Sequence, residues 1–212
     1  MELSNYSYDF TALAFAHFVA LLSPGVDFFI IIGNSSKYGK LAGISTAFGI
    51  AIANLVYILL ALFGITLIKD NEFIFVFIKI LGSLYLFYMA YLLLIAPKRA
   101  LFEKNDSLTV KSKKELLGYF MNGFLSAILN PKNSIFYFTM FSIAIQSHTP
   151  LVIQGFYALW MFFAVLAWDI FIVYLVNHQK AKIFMEKYSN RIEKISGGVL
   201  LFIASAIIYN IF

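Results

Sequence analysis

Residues 41–68 read LAGISTAFGIAIANLVYILLALFGITLI, a stretch with no Asp, Glu, Lys or Arg in it. About 20 mainly apolar residues in a helix cross the ~30 Å hydrocarbon core of a bilayer, so this stretch spans with length to spare. It must tilt or protrude. On either side, five further stretches meet the same criterion: roughly 10–32, 73–96, 116–145, 151–177 and 195–212. The 116–145 stretch is also long, and the last is barely long enough.

Composition points the same way. Of 212 residues, 61% are hydrophobic and 13% charged, with a mean hydropathy of +0.83. Soluble domains carry roughly 45–50% apolar and about 25% charged residues, and a soluble core of this size cannot hide so much apolar surface. The 24 Phe and 13 Tyr suit helices in hydrocarbon with rings at the interfaces. The expected fold class is an all-α membrane protein of six transmembrane helices. The leader MELSNYSYDF carries only Glu2 and Asp9 and no basic residue. It therefore lacks the positive start of a cleaved signal, and the first span is expected to be retained.

The connections alternate in charge. Lys37 and Lys40 follow the first span, and Lys69 alone follows the second, beside Asp70 and Glu72. Lys98, Arg99, Lys104, Lys111, Lys113 and Lys114 follow the third, none follows the fourth, and Lys180, Lys182, Lys187, Arg191 and Lys194 follow the fifth. Thirteen of the sixteen basic residues thus fall on one side, which the positive-inside rule makes cytoplasmic. Both termini are expected outside, N-out and C-out. The same distribution turns the net charge of +5 into a topology signal, with no nucleic-acid partner implied.

The chain reads as a single transmembrane domain over 1–212. A first three-helix half, 1–96, and a second, 116–212, are joined by a basic cytoplasmic linker at 97–115 that Pro97 opens. An odd number of helices per half turns the halves in opposite directions, the precondition for a 3+3 inverted repeat of the kind built into many secondary transporters.

The halves correspond at one place. The first span holds Ser23-Pro24-Gly25-Val26-Asp27 and the fourth holds Asn130-Pro131-Lys132-Asn133. In each, a good capping residue precedes a proline, which fits the first position of a new helix and cannot continue an old one. Helices 1 and 4 are therefore expected to break at Pro24 and Pro131. The second halves would then point their N-termini at each other, each offering free N–H groups and a partial positive charge to a carboxylate. A lone proline kinks a span without further consequence. Two in matched positions, each beside a charge, point to a site.

Four ionisable residues fall inside spans: Asp27, Lys79, Lys132 and Asp169. A charge at the bilayer centre costs at least ~2.5–3.5 kcal/mol on insertion scales, so such groups face a cavity or a partner. One reading is two structural salt bridges. The other uses the acids as proton carriers or as partners for a substrate ammonium. Lys79 is near enough to a span end to snorkel. Asn54 lies mid-span and Tyr85 lies in Gly82-Ser83-Leu84-Tyr85, each able to face a ligand or the core. His17 reads as a satisfied interior group and is not included. The small-residue rows Gly43, Ala47, Ala51 and Ser45, Gly49, Ala53 serve close helix packing, and the same surface suits a homodimer. No cysteine is present and the three histidines lie far apart, so neither a disulfide nor a catalytic metal centre is expected.

These segments carry a resemblance. SPGVDFF (23–29), NSSKYGKLAGISTAFGIA (34–51), IKILGSLYLFYMAYLLL (78–94) and MNGFLSAILNPKNSIFYF (121–138), in this order, resemble the LysE/RhtB family of amino-acid exporters. The family pattern falls on Pro24, Gly25, Asp27, Gly39, Gly43, Gly49, Lys79, Gly82, Tyr85, Asn130, Pro131 and Lys132. Val26 departs from it, standing where the family commonly has a second proline, which implies a milder first break. The last two spans match only in hydropathy, so any role for Asp169 is inferred from its burial.

The resemblance implies a multi-pass protein of the bacterial inner membrane, without cofactor or enzyme activity. It would export amino acids or closely related metabolites as a secondary transporter driven by the proton gradient. The expected substrate- and proton-binding residues are Pro24, Gly25, Asp27, Asn54, Lys79, Tyr85, Asn130, Pro131, Lys132 and Asp169. The substrate carboxylate would sit on 23–25 and 130–132 with Lys132, and its ammonium on Asp27 or Asp169, one of which also takes the counter-transported proton. Two alternatives stay open. A divalent-cation exporter of the same superfamily would want more intramembrane carboxylates, and an intramembrane lipid-modifying enzyme would need a nucleophile or a metal set. The identity of the amino acid stays open too.

Overall fold

The computed structural model describes residues 2–23, 25–68, 70–98, 101–102, 112–146, 148–209 and 211, with backbone alone for 2–5 and Pro131. The described residues form helices and no strand. In chain order these are α1 (Glu2–Leu21), α2 (Val26–Tyr38), α3 (Lys40–Ile68), α4 (Glu72–Leu94), α5 (Lys113–Ile128), α6 (Pro131–Ala144), α7 (Leu151–Val176) and α8 (Gln179–Tyr209). Four of them, α3, α4, α7 and α8, are each long and apolar enough to cross a membrane, and α1 with α2 makes a fifth span if the pair, bent by 55°, is one crossing.

The stretch 116–145 forms two helices of 16 and 14 residues, neither long enough to cross alone. The stretch at 178–194, expected as a basic loop, is helical from Gln179. The reason is an inward stripe: Met185, Ser189, Glu193, Ser196, Gly197, Leu200 and Ala204 are buried at helical spacing, while the lysines point elsewhere. Asn190 Nδ2 donates to the Ala96 carbonyl at 2.8 Å and the Glu186 carboxylate accepts from the Leu101 N–H at 3.2 Å, tying this extension to the end of α4.

Local chemistry sets the boundaries. Asn71 and Ser112 cap α4 and α5 by accepting from Ile74 N at 3.1 Å and Glu115 N at 3.2 Å. Between α2 and α3 the chain turns on Gly39, whose φ of +87° lies in the left-handed region that glycine enters without a side-chain clash. A Cβ on Gly49 would strike the Phe120 carbonyl oxygen, and one on Gly123 would strike that of Thr46. The two glycines therefore let α3 and α5 cross backbone to backbone, and Ser45 Oγ donates to the Leu116 carbonyl at 2.6 Å beside them. Gly43, Ala47, Ala51 and Ala53 are buried as well. The rows that suit a homodimer surface are taken up inside the chain.

Two apolar cores result. One joins α1, the end of α3, α4, α6, the start of α7 and the end of α8, with Leu13, Ile58, Leu86, Met140 and Leu200 buried. The other joins α2, the start of α3, α5 and the end of α7, with Ile31, Ile50, Ala127 and Val173 buried. Polar contacts close each end. Tyr157 Oη donates to the Tyr6 carbonyl at 2.9 Å and Gln146 Nε2 to Asp9 Oδ2 at 3.2 Å, while Asn177 Nδ2 donates to Ser35 Oγ at 2.7 Å at the opposite end. Both helix interruptions, 22–25 and 129–130, fall near the seam between the cores.

Candidate functional site

At that seam lies a cavity of about 80 Å³, walled by α1, the start of α2, α3, the Asn130 turn, α6 and α7. By the ~10–15 Å³ one water needs, it holds several waters or one small solute. Its walls are His17, Ser23, Gly25, Asp27, Asn54, Asn130, Lys132, Asn133 and Asp169, closed by Phe28, Ile50, Phe136, Tyr137, Val165 and Trp168.

The two helix starts that meet here are finished differently. At α6, Asn130 is extended (φ −86°, ψ 106°), its Oδ1 accepts from Lys132 N at 3.0 Å, and Pro131 opens the helix. Tyr57 Oη donates to the Ile128 carbonyl and Tyr85 Oη to the Lys132 carbonyl at 3.2 Å, so nearby backbone acceptors on both sides of the break have partners. At α2 the sequence expectation needs correction. Ser23 was expected as the cap and Pro24 as the first helical residue, but the cap position is Gly25 and the helix opens at Val26. Pro24 itself lies outside the described residues. Gly25 has no side chain to donate or accept, so no side-chain cap forms, and the Ser23 hydroxyl is buried without a partner.

The missing side chain has a second effect. A Cβ on Gly25 would lie 3.3 Å from Lys132 Nζ, so the ammonium of α6 rests against the open end of α2. A cation beside a helix N-terminus is electrostatically unfavourable unless an anion stands with it. Asp27, in the first turn of α2 and within electrostatic reach of Lys132, is such an anion, and it is held across the break: its Oδ1 accepts from Ser126 Oγ at 2.9 Å and Oδ2 from Asn133 Nδ2 at 3.0 Å. Asp27 thereby ties α2 to α5 and α6.

Five other polar atoms on the cavity wall have no hydrogen-bond partner: both ring nitrogens of His17, Ser23 Oγ, Asn54 Oδ1 and Asp169 Oδ2. Their residues are all under 9% exposed, with His17 at 0%. Each buried polar atom left unpaired costs about 1–3 kcal/mol, and five of them line this one cavity. Among the described residues no three His, Asp or Glu side chains converge as a metal set.

Of the residues expected from sequence, Gly25, Asp27, Asn54, Asn130, Lys132 and Asp169 come together on this wall, and Pro131 sits at the start of α6. Tyr85 stands behind it, holding the Lys132 backbone. Lys79 is elsewhere, its Nζ 4.6 Å from the centre of the Phe75 ring and within electrostatic reach of Asp9. His17 corrects the reading that left it out as a satisfied group. Its ring is packed against Phe136, Tyr137 and Trp160, none of which satisfies its nitrogens. One signal was available: 17, 20, 21 and 24 form a single helical stripe that runs into Pro24.

A family model described as LysE type translocator matches residues 18–211. The threonine efflux protein of Escherichia coli is 29% identical over 161 residues, 74% of this chain and 74% of its own length. The uncharacterized membrane protein YrhP of Bacillus subtilis is 28% identical over 192 residues, 85% of this chain and 89% of that one. The uncharacterized membrane protein YahN of Escherichia coli is 29% identical over 133 residues, 62% of this chain and 58% of its own length. No solved structure matches. The chain belongs to the LysE type translocator family, and it is a multi-pass protein of the bacterial inner membrane.

Proposed function

We propose that this LysE type translocator exports a small amino acid or closely related metabolite, bound in the cavity between the two helix interruptions and exchanged for a proton. The observation that carries the reading is the set of five unpartnered buried polar atoms around one cavity, with Lys132 and the uncapped start of α2 beside it. A zwitterion answers that pattern. Its carboxylate meets the free N–H groups of the α2 start and the Lys132 ammonium, and its ammonium meets Asp169, with Asn54, Ser23 and His17 left for its polar remainder. The threonine efflux relatives support a substrate of this class.

The two acids take separate roles. Asp27 already accepts two hydrogen bonds, which hold it as a structural carboxylate between α2, α5 and α6. Asp169 has a free oxygen at the cavity, so it is the group that carries the proton when the ammonium leaves.

The topology belongs to the same proposal. Taking α1 with α2 and α5 with α6 as single broken spans gives six crossings in two three-helix halves, 1–96 and 116–212, oppositely oriented about the 97–115 linker. The contacts of Tyr6 and Asp9 with the 146–150 turn support an N-out start, since that turn carries no basic residue. Rocking of one half against the other would open the cavity to each side in turn.

The test is counterflow of labelled threonine and other amino acids in proteoliposomes, with and without an imposed pH gradient. We expect parent protein to exchange a small polar amino acid and to respond to the gradient. Asp169→Asn should weaken substrate binding and lose the response to pH. Unchanged proton-coupled exchange in Asp169→Asn would sink the assignment of roles.

A further inference from the structure

A second cavity, about 550 Å³, lies between α7 and the basic start of α8, and its character is opposite to that of the first. Although α7 and α8 are joined by a short turn, α8 packs chiefly along α4 and touches α7 only lightly. The gap is walled by Leu101, Phe171, Leu175, Ala181 and Phe184, with Lys180 the single charged side chain among the described residues. Phe171 and Phe184 are half or more solvent-accessible on the outside of the chain, so the gap opens laterally toward the surroundings. In a membrane-spanning chain those surroundings are lipid, and an apolar gap of this size takes up a hydrocarbon chain, because an empty one forfeits the dispersion contacts of its lining.

Charge identifies the head of the occupant. The stretch 180–194 carries Lys180, Lys182, Lys187, Arg191 and Lys194 against Glu186 and Glu193. Glu186 is engaged with the Leu101 backbone, and Lys182 Nζ stands 5.4 Å from the centre of the Phe102 ring at the same end. Basic pockets between membrane helices take anionic headgroups, at about 1 kcal/mol per lysine near the surface. We infer that the α7/α8 cleft is a binding site for an anionic phospholipid, with an acyl chain among Leu101, Phe171 and Leu175 and its phosphate at Lys180.

The site bears on the first cavity. Phe28 and Trp168 line both, and they are the chain neighbours of Asp27 and Asp169. A bound acyl chain would touch two side chains that also wall the polar cavity. Lipid composition would therefore act on the residues that carry the two carboxylates.

The chain has two tryptophans, Trp160 and Trp168. In a Trp160→Phe background, the fluorescence of Trp168 reports on the cleft. The protein is placed in phosphatidylcholine nanodiscs doped with phosphatidylglycerol brominated on its acyl chains, or with the same mole fraction of brominated phosphatidylcholine. We expect half-quenching at about fivefold lower mole fraction of the brominated phosphatidylglycerol. Lys180→Gln should bring the two lipids together. Ala181→Phe, or Leu175→Phe if the first folds poorly, should fill the cleft and weaken quenching by phosphatidylglycerol. Equal quenching by both lipids in the parent, or a preference untouched by Lys180→Gln, would overturn the site. The outcome is independent of which solute the protein carries.

Discussion

The two helix interruptions begin from nearly the same recipe, a small polar residue followed by proline, and end in opposite states. At 130–131 the chain closes its own account of hydrogen bonds: Asn130 caps α6, and Tyr57 and Tyr85 each donate to a nearby carbonyl. At 23–25 the start of α2 falls on Gly25, which caps nothing, and Ser23 is buried unpaired. One interruption is braced by the protein and the other is left open beside an ammonium. The proposed substrate site would use both kinds: a rigid wall to hold Lys132 in position and an unfilled one to receive the guest.

The comparison can be broken most severely at Gly25. Gly25→Leu would push a side chain into the 3.3 Å approach of Lys132 and fill the cavity. Transport should fall on the order of 100-fold while the protein still reaches the membrane, because displacement of a positioned group by about 1 Å has that effect. Asp27→Asn comes next. It puts an amide where two donors expect a carboxylate, and should lower the unfolding free energy in detergent by about 1–2 kcal/mol. Asn130→Ala removes a working cap, for a loss of about 1 kcal/mol and a lower Tm. Ser23→Ala is the smallest and sharpens the contrast. Its hydroxyl caps no helix and is buried unpaired, so its removal should leave the Tm unchanged or raise it, and any loss should appear in transport. Equal Tm losses in Asn130→Ala and Ser23→Ala would erase the distinction between the two interruptions.

Much of the fold was legible because apolar runs are a local property. The runs at 41–68, 73–96 and 151–177 became α3, α4 and α7 with ends shifted by a few residues. The start of α8 was misread because its lysines resemble a loop in composition. Its buried stripe only becomes visible once α4 is there to cover it. Within the site, Asn54 and Asp169 could be suspected from polarity inside a span, since burying such a group without a role is costly. Lys79 met the same test and stands elsewhere, because a lysine stem is long enough to leave the depth of its own Cα. His17 failed the test for a converse reason. Whether a buried imidazole is satisfied depends on neighbours from α6 and α7, which the residues around position 17 do not encode.

Read alone, the chain determined its solvent, most of its helices and its family. Apolar length, charge in alternate connections and four ordered motifs are all carried by residues close together in sequence. Which polar atoms find partners was decided only by tertiary structure. Asp27 and Asp169 look alike as acids in spans, yet one is bound by Ser126 and Asn133 and the other keeps a free oxygen on the cavity. That difference arises where α2, α5, α6 and α7 converge across more than 100 residues of chain, and hydrogen bonding acts over about 3 Å.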